Sequence, residues 1–221
     1  MASGEALVPP LVPGEPLSRD EFERRHAAAP RLKAELIHGV VHVPPLAKVL
    51  KLEHAQTHLL LATWLGVYAA HTPDALALDN ISYRVDEHNE LQPDLVLMLR
   101  TGRAHIDGEG FLAGAPELVI EVAVSTAERD LGVKRSVYES AGVQEYAVWQ
   151  VSEAAFSWWT LTPTGYRALE PDAEGVLRSE VFPGLWLDVP ALLRRDLAAM
   201  LTRLNEGLRS AAHAAFVQQL R

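Results

Sequence analysis

Cysteine is absent from the 221 residues, which excludes a disulfide framework and any thiolate metal centre and is compatible with a reducing compartment. No stretch approaches the roughly 18 apolar residues that a membrane-spanning helix requires. The N-terminus has neither the basic start nor the apolar centre of a secretory signal. These absences predict a soluble, cytoplasmic protein with no membrane association. A P-loop, a dinucleotide-binding fingerprint and a nucleophile elbow are missing as well. Positive charge is scarce: Lys and Arg number 20 against 29 Asp and Glu, for a net charge of −9. That balance argues against a protein that coats nucleic acid non-specifically, because such binding needs a basic surface. It leaves room for a local basic stripe, and carboxylates that hold metal would add to the negative count.

What is present is globular: 48% of residues are hydrophobic and 22% charged, enough to fill one α+β core. Residues 1–16, rich in Pro, Gly and Ala, read as a flexible arm. Ser18 and Glu21 have capping-box spacing and Leu17 and Phe22 that of a hydrophobic staple, so a helix starts there and fades before Pro30. Residues 34–43 form two short strands around Gly39, and residues 51–70 a helix with Leu52, Leu59, Ala62, Leu65 and Ala69 at helical spacing. Strands are expected at 76–85, 91–99, 117–124, 146–151 and 155–162, with a helix at 127–141 stopped by Gly142. The strand–helix–strand order makes 117–124 and 146–151 parallel neighbours. A single C-terminal amphipathic helix from about Pro190, lined by Leu193, Leu197, Met200, Leu201, Leu204, Leu208, Ala211 and Ala215, caps the domain or meets a second subunit. The expected division is an arm at 1–16, a domain at 17–189 and that helix at 190–221.

Three residues stand out chemically. Asp94 follows Pro93 at the start of an apolar strand, and Glu121 interrupts the most apolar strand in the chain. A carboxylate there loses its hydration and must find a partner. Two such groups on neighbouring strands would repel unless a divalent cation lay between them, and magnesium suits hard oxygen ligands. Equally, Asp94 could cap a turn and Glu121 pair with a buried Arg or Lys. Lys134 stands four residues after Asp130, which is the spacing of a helix ion pair, or of an ammonium aimed at a phosphate or a metal-bound water. Tyr138, on the same stripe, reads as packing. His54 and His58 have zinc-ligand spacing, but neither a following glutamate nor a cysteine completes such a site. Trp158 and Trp159, adjacent on a strand, must face opposite ways, one into the core and one partly outward.

The series Gln92-Pro93-Asp94-Leu95-Val96, Gly114-Ala115-Pro116-Glu117-Leu118-Val119-Ile120-Glu121-Val122-Ala123, Ser125-Thr126, Asp130, Lys134, Tyr138 and Ala141-Gly142-Val143-Gln144-Glu145-Tyr146 resembles the PD-(D/E)XK nuclease superfamily. Within it, the chain is similar to a large bacterial family of restriction endonucleases, the Uma type. The likeness runs from the Ser18 helix through Glu35-Leu36-Ile37-His38-Gly39 to Phe182-Pro183-Gly184-Leu185. It implies a restriction-endonuclease-like mixed β-sheet flanked by helices, and a Mg²⁺-dependent endonuclease (Mn²⁺ as substitute) acting on DNA, as a homodimer. Asp94 matches the first acid of the motif, Glu121 the second. The lysine expected two residues after the second acid is Ala123 here, which makes Lys134, from the next helix, the match. Glu35 matches a further acid, which assists at the metal, and His54 a histidine opening the following helix. Val124 and Gln150 depart from the polar and acidic residues many relatives carry. Two other readings remain open: a catalytically silent binding or assembly module on the same fold, and a metal-dependent hydrolase of small phosphoesters.

Overall fold

The computed structural model describes residues 8–43, 52–124 and 126–221, with side chains from residue 56 onward in the segment that begins at 52. Of the arm expected at 1–16, residues 1–7 lie outside the described residues. Residues 8–16 are held against the following hairpin: Gly14 N–H donates to the Val41 carbonyl at 2.8 Å, Val41 N–H donates to that of Glu15 at 2.9 Å, and Leu11 is buried. Ser18 caps α1 (Arg19–Ala27), its hydroxyl oxygen accepting from Glu21 N–H at 3.3 Å. The Glu21 carboxylate turns to Arg24 and Arg25, while Phe22 and Leu17 share one apolar cluster.

β1 (Glu35–Ile37) and β2 (Val40–His42) form a hairpin. Its two turn residues, His38 and Gly39, have φ of 51° and 73°, as a tight turn matched to strand twist demands. α2 (Leu52–His71) follows. The strand expected at 76–85 is two: β3 (Ala75–Asp79) and β4 (Tyr83–Arg84) separate after Asn80, which takes a φ of 49° and sends the chain into a different sheet. β5 (Glu90–Leu91), β6 (Leu95–Leu99), β7 (His105–Ile106), β8 (Leu112–Ala113) and β9 (Leu118–Ala123) complete the first half. The helix expected at 127–141 is α3 (Ala127–Arg129), a π-helical turn (Asp130–Lys134) and α4 (Arg135–Ala141), closed by Gly142 at φ 80°. β10 (Glu145–Gln150), β11 (Ala155–Thr162) and β12 (Gly165–Ala168) follow, then a ribbon of β13 (Val176–Arg178) and β14 (Trp186–Asp188).

The strands make two six-stranded mixed sheets, ordered β12-β11-β10-β9-β6-β3 and β2-β1-β5-β4-β8-β7. In the first, β9 and β10 are parallel, Glu145 standing beside Leu118. Alternation along β9 divides the interior. Leu118, Ile120 and Val122 face a core with Leu61, Trp64 and Tyr68 of α2 and the C-terminal helices. Val119 and Ala123 face a second core with Tyr83, Leu112, Val137 and Tyr138. Trp158 lies buried in the first core and Trp159 half-buried against the second.

The single C-terminal helix expected from Pro190 is three: α5 (Val189–Leu193), α6 (Leu197–Leu208) and α7 (Ala211–Gln219). Arg195 adopts φ 60°, and Asp196 and Ser210 each cap a new N-terminus by accepting a backbone N–H, from Ala199 and His213. The apolar face therefore changes at Ser210. Met200 and Leu204 are buried in the core, but Ala211 and Ala215 are exposed, and His213 and Phe216 turn inward instead. α6 lies against the 182–185 turn with almost no clearance. A Cβ on Gly207 would meet the Gly184 carbonyl oxygen at 2.2 Å and Trp186 Cγ at 2.9 Å. Backbone cannot yield as a side-chain tip does, so Gly207→Ala is expected to cost about 1–3 kcal/mol and several degrees of Tm, measured by thermal denaturation. An unchanged Tm would mean that α6 does not seat here.

Candidate active site

The pairing of β6 with β9 sets Leu95 opposite Ile120, and the same antiparallel register continued by one residue sets Asp94 opposite Glu121. Directly opposed residues share a face. Here it is the face of Val96, Met98, Val119 and Ala123, roofed by α4 and the β2-β1-β5-β4-β8-β7 sheet. The contact is direct: Val122 N–H donates to Asp94 Oδ2 at 2.7 Å. β1 adds Glu35 from the other sheet, where Gln92 N–H donates to its Oε1 at 3.1 Å. The three carboxylates expected together from the sequence do converge, and each is only 3% exposed.

Lys134 enters from the π-helical turn and joins them. Its Nζ is 2.6 Å from Glu121 Oε1, 2.8 Å from Glu35 Oε1 and 3.7 Å from Asp130 Oδ1. The Asp130–Lys134 helix pair anticipated as one alternative thus exists, as the longest arm of a larger group. π-turns widen the helix and are frequent at functional sites. Tyr138, expected to pack, also donates its hydroxyl to Glu121 Oε1 at 2.9 Å. Lys33, which no sequence motif singles out, joins the site as well, its Nζ 2.8 Å from Asp94 Oδ1. It stands two residues before Glu35, and a cation two residues from a buried acid in a strand-like run is the one local signal that could have pointed to it. Thr126 hydroxyl closes onto Asp130 Oδ2, and the Asp130 carbonyl accepts from Tyr146 hydroxyl at 2.9 Å.

His54 lies on α2, and its side chain is outside the described residues, as is Ser125. His58, one turn along, has Nε2 at 3.1 Å from the Asp94 carbonyl oxygen and 3.0 Å from Asp79 Oδ1.

The charges are unequal. Four buried carboxylates, Glu35, Asp94, Glu121 and Asp130, meet two ammonium groups, Lys33 and Lys134. Burial works against every one of these charges. Lys33 and the Val122 N–H nevertheless hold Asp94 below the usual carboxylate range, and Lys134 does the same for Glu35. Glu121 is left with the surplus: burial, then the charges of Asp94, Asp130 and Glu35, outweigh Lys134 and push it up to about 8. Burial opposes the charge on Lys134 too, but Glu121, Glu35 and Asp130 together hold it well above the ordinary lysine range.

Among the described residues, no three His, Asp or Glu side chains already stand as a metal cage. The ammonium groups occupy carboxylate oxygens that a cation would need. By donor type, though, Asp94, Glu121 and Glu35 fit a hard divalent ion, which takes carboxylate oxygens and keeps waters. By charge, the surplus of carboxylate is what such an ion would neutralise.

A mixed sheet with helices on both faces, carrying acids at a strand start and in its neighbour, defines the class: a nuclease-like fold. Among solved structures that match, the "putative nuclease belonging to DUF820" from Anabaena variabilis superposes with a TM-score of 0.61 at 16% identity, over 81% of this chain and 99% of that one. A family model described as "Putative restriction endonuclease" (Uma2) matches residues 19–190, and the chain belongs to that family. No curated protein matches it in sequence.

Proposed function

We propose that the protein is a Mg²⁺-dependent endonuclease that hydrolyses phosphodiester bonds of DNA. The observation that carries this reading is that Asp94 and Glu121 are opposed on adjacent strands, with Lys134 Nζ 2.6 Å from Glu121. Family membership supports the nuclease class. Asp94 and Glu121 would hold the ion, with Glu35 assisting and Mn²⁺ able to replace it. Bound there, magnesium would polarise the phosphate and lower the pKa of a water.

The chain's own groups do the rest. Lys134, fixed in its protonated form, donates to a phosphate oxygen and to the attacking water, and opposes the charge that develops in the transition state. It orients; it does not act as a base. Glu35, kept ionised, accepts the water's proton. The water oxygen bonds to phosphorus, one phosphorus–oxygen ester bond breaks, and the departing alkoxide takes up a proton from solvent water. Tyr138 fixes the Glu121 carboxylate. Cutting both strands of a duplex would use two such sites, hence a homodimer, working in the cytoplasm.

One observation favours a second reading, a silent module on the same scaffold: the acids are already paired and at most 3% exposed. A supercoiled-plasmid assay beside a bis-nitrophenyl phosphate assay, each with Mg²⁺, separates the possibilities. Nicking or linearisation of the plasmid is expected. Turnover of the small ester alone would remove DNA, and inactivity on both would favour the silent module.

The pH dependence has a definite sign. A carboxyl raised to about 8 binds a proton more tightly in the folded chain than in the unfolded one, whose value is about 4.3. Metal-free, its contribution to stability is therefore lost as pH rises from about 4.3 to about 8. A cation displaces that proton, so magnesium affinity increases with pH up to about 8 and then levels. The Mg²⁺-induced rise in Tm should grow between about pH 6 and 8. A rise of constant size across that range would show that no proton is displaced from Glu121.

A further inference from the structure

The last strand of a sheet presents unpaired backbone groups that can template another chain. In the two larger sheets most ends are guarded. Residues 14–17 bond along β2, β7 is two residues long, and β12 carries Arg167, paired with Glu180. β3 differs. It closes one end of the sheet β12-β11-β10-β9-β6-β3, and Ala75-Leu76-Ala77-Leu78 contains neither the charge nor the proline that blunts an edge. These four residues are half-buried, and Asp79 is exposed.

The hydrogen-bond phase fixes which groups point outward. Asn80 N–H donates to the Asp94 carbonyl at 3.1 Å, and Arg100 N–H to that of Asp74 at 2.9 Å. Leu76 opposite Met98 and Leu78 opposite Val96 have the same parity, so their backbone groups turn inward to β6. Those of Ala77 and Asp79, and the Ala75 carbonyl, turn outward. Among the described residues no hydrogen bond meets them. Asp74 and Asn80, at φ 70° and 49°, bend the chain at either end, leaving a five-residue window with Ala77 at its midpoint.

We propose that two copies of this chain join along that edge, β3 to β3 and antiparallel, about a two-fold axis at Ala77. Each Ala77 then exchanges N–H and C=O with its mate, and each Asp79 N–H reaches the carbonyl of the partner's Ala75. The window is thus complementary to itself, as a two-fold contact requires. Charge selects the register. An axis at Leu78 would also pair outward groups, but it sets the two Asp79 side chains on one face at a diagonal of about 7–8 Å. About Ala77 they stand roughly 14 Å apart.

The seam stands on backbone geometry alone; its use rests on the nuclease reading and deepens it. Asp94 lies across from Asn80, on the side of the sheet that Leu76 and Leu78 share with Val96 and Met98. An axis normal to the joined sheet puts both acid sites on that one side. Strand rise and spacing set the two Asp94 residues roughly 25 Å apart, less than the roughly 34 Å of one duplex turn. One dimer therefore reaches both strands of one duplex.

The test is sedimentation velocity over a range of micromolar concentrations, with wild type and Ala77→Pro. Proline there removes only an outward N–H, which an edge strand tolerates. Wild type should be a dimer, and Ala77→Pro should raise the dimer Kd at least about 30-fold with native circular dichroism retained. The chain has no cysteine, so Ala77→Cys gives each subunit a single thiol, facing its mate across the roughly 5.5 Å of a hydrogen-bonded pair. A short bis-maleimide should join that dimer, and should leave Ile106→Cys, on the β7 edge, as single chains. If Ala77→Pro loses its native circular dichroism, the cross-link decides. A monomeric wild type overturns the inference, as does a dimer that Ala77→Cys cannot cross-link or whose Kd a folded Ala77→Pro leaves unchanged. Plasmid cleavage is read separately. A dimer of the predicted kind that neither nicks nor linearises plasmid sinks the nuclease reading and leaves the seam standing, and cleavage by a monomeric wild type does the reverse.

Discussion

Lys134→Ala is expected to lower Tm on the order of 10 °C and to reduce plasmid cleavage by about 10²–10³. Lys134 is 2% exposed and is the counter-ion of Glu121, Glu35 and Asp130 together. Removing one partner of a buried pair leaves the other charge uncompensated, at a cost of about 3–5 kcal/mol, and for a domain of this length each kcal/mol moves Tm by about 2–4 °C. The deficit should shrink at low pH, where the stranded carboxyls take up protons, and should shrink with Mg²⁺, which replaces the lost charge. That metal rescue is the informative part. If Mg²⁺ stabilises Lys134→Ala more than wild type but cleavage stays low, the lysine's role in the reaction is separated from its role in folding. Normal cleavage by the variant would reduce Lys134 to a structural counter-ion.

Asp94→Asn is expected to abolish the Mg²⁺-induced Tm shift and to reduce metal affinity by more than about 10²-fold, since loss of even a supporting group around a metal costs 10–100-fold. The substitution preserves shape, so the fold should persist. Its single carbonyl oxygen can, however, serve only one of the two donors that Asp94 now satisfies, Lys33 Nζ at 2.8 Å and Val122 N–H at 2.7 Å. The amide NH₂ would oppose the other, so stability falls by about 1–3 kcal/mol independently of metal. Isothermal titration with Mg²⁺ and Mn²⁺ reads the affinity, and denaturation without metal reads the structural cost. Retained metal binding would mean that the ion, if any, is held elsewhere.

The two acids were legible because the chain breaks its own pattern at them. A charge amid Leu118-Val119-Ile120 and Val122-Ala123 conflicts with burial unless something meets it, and such conflicts gather at functional sites. The parallel β9–β10 pair followed from the strand–helix–strand order in the same way. Lys33 was not legible, because its partner Asp94 lies 61 residues away and only tertiary pairing joins β6 to the start of β1. Tyr138 was read as apolar bulk, since nothing local discloses where a hydroxyl ends. The π-turn left no mark in a stretch whose periodicity fits an ordinary helix. The breaks in the C-terminal helix were different: Asp196 and Ser210 are good N-cap residues, but the apolar spacing ran through both and outweighed them.

Phosphodiester hydrolysis at this site requires a cation to settle between Asp94 and Glu121. The most direct measurement is diffraction from crystals soaked in manganese, recorded near the manganese absorption edge. One anomalous peak within about 2.3 Å of oxygens from both Asp94 and Glu121 is predicted, with Lys33 or Lys134 displaced from a carboxylate to make room. Both lysines still on their acids and no peak between the strands, at manganese concentrations that support plasmid cleavage, would contradict it.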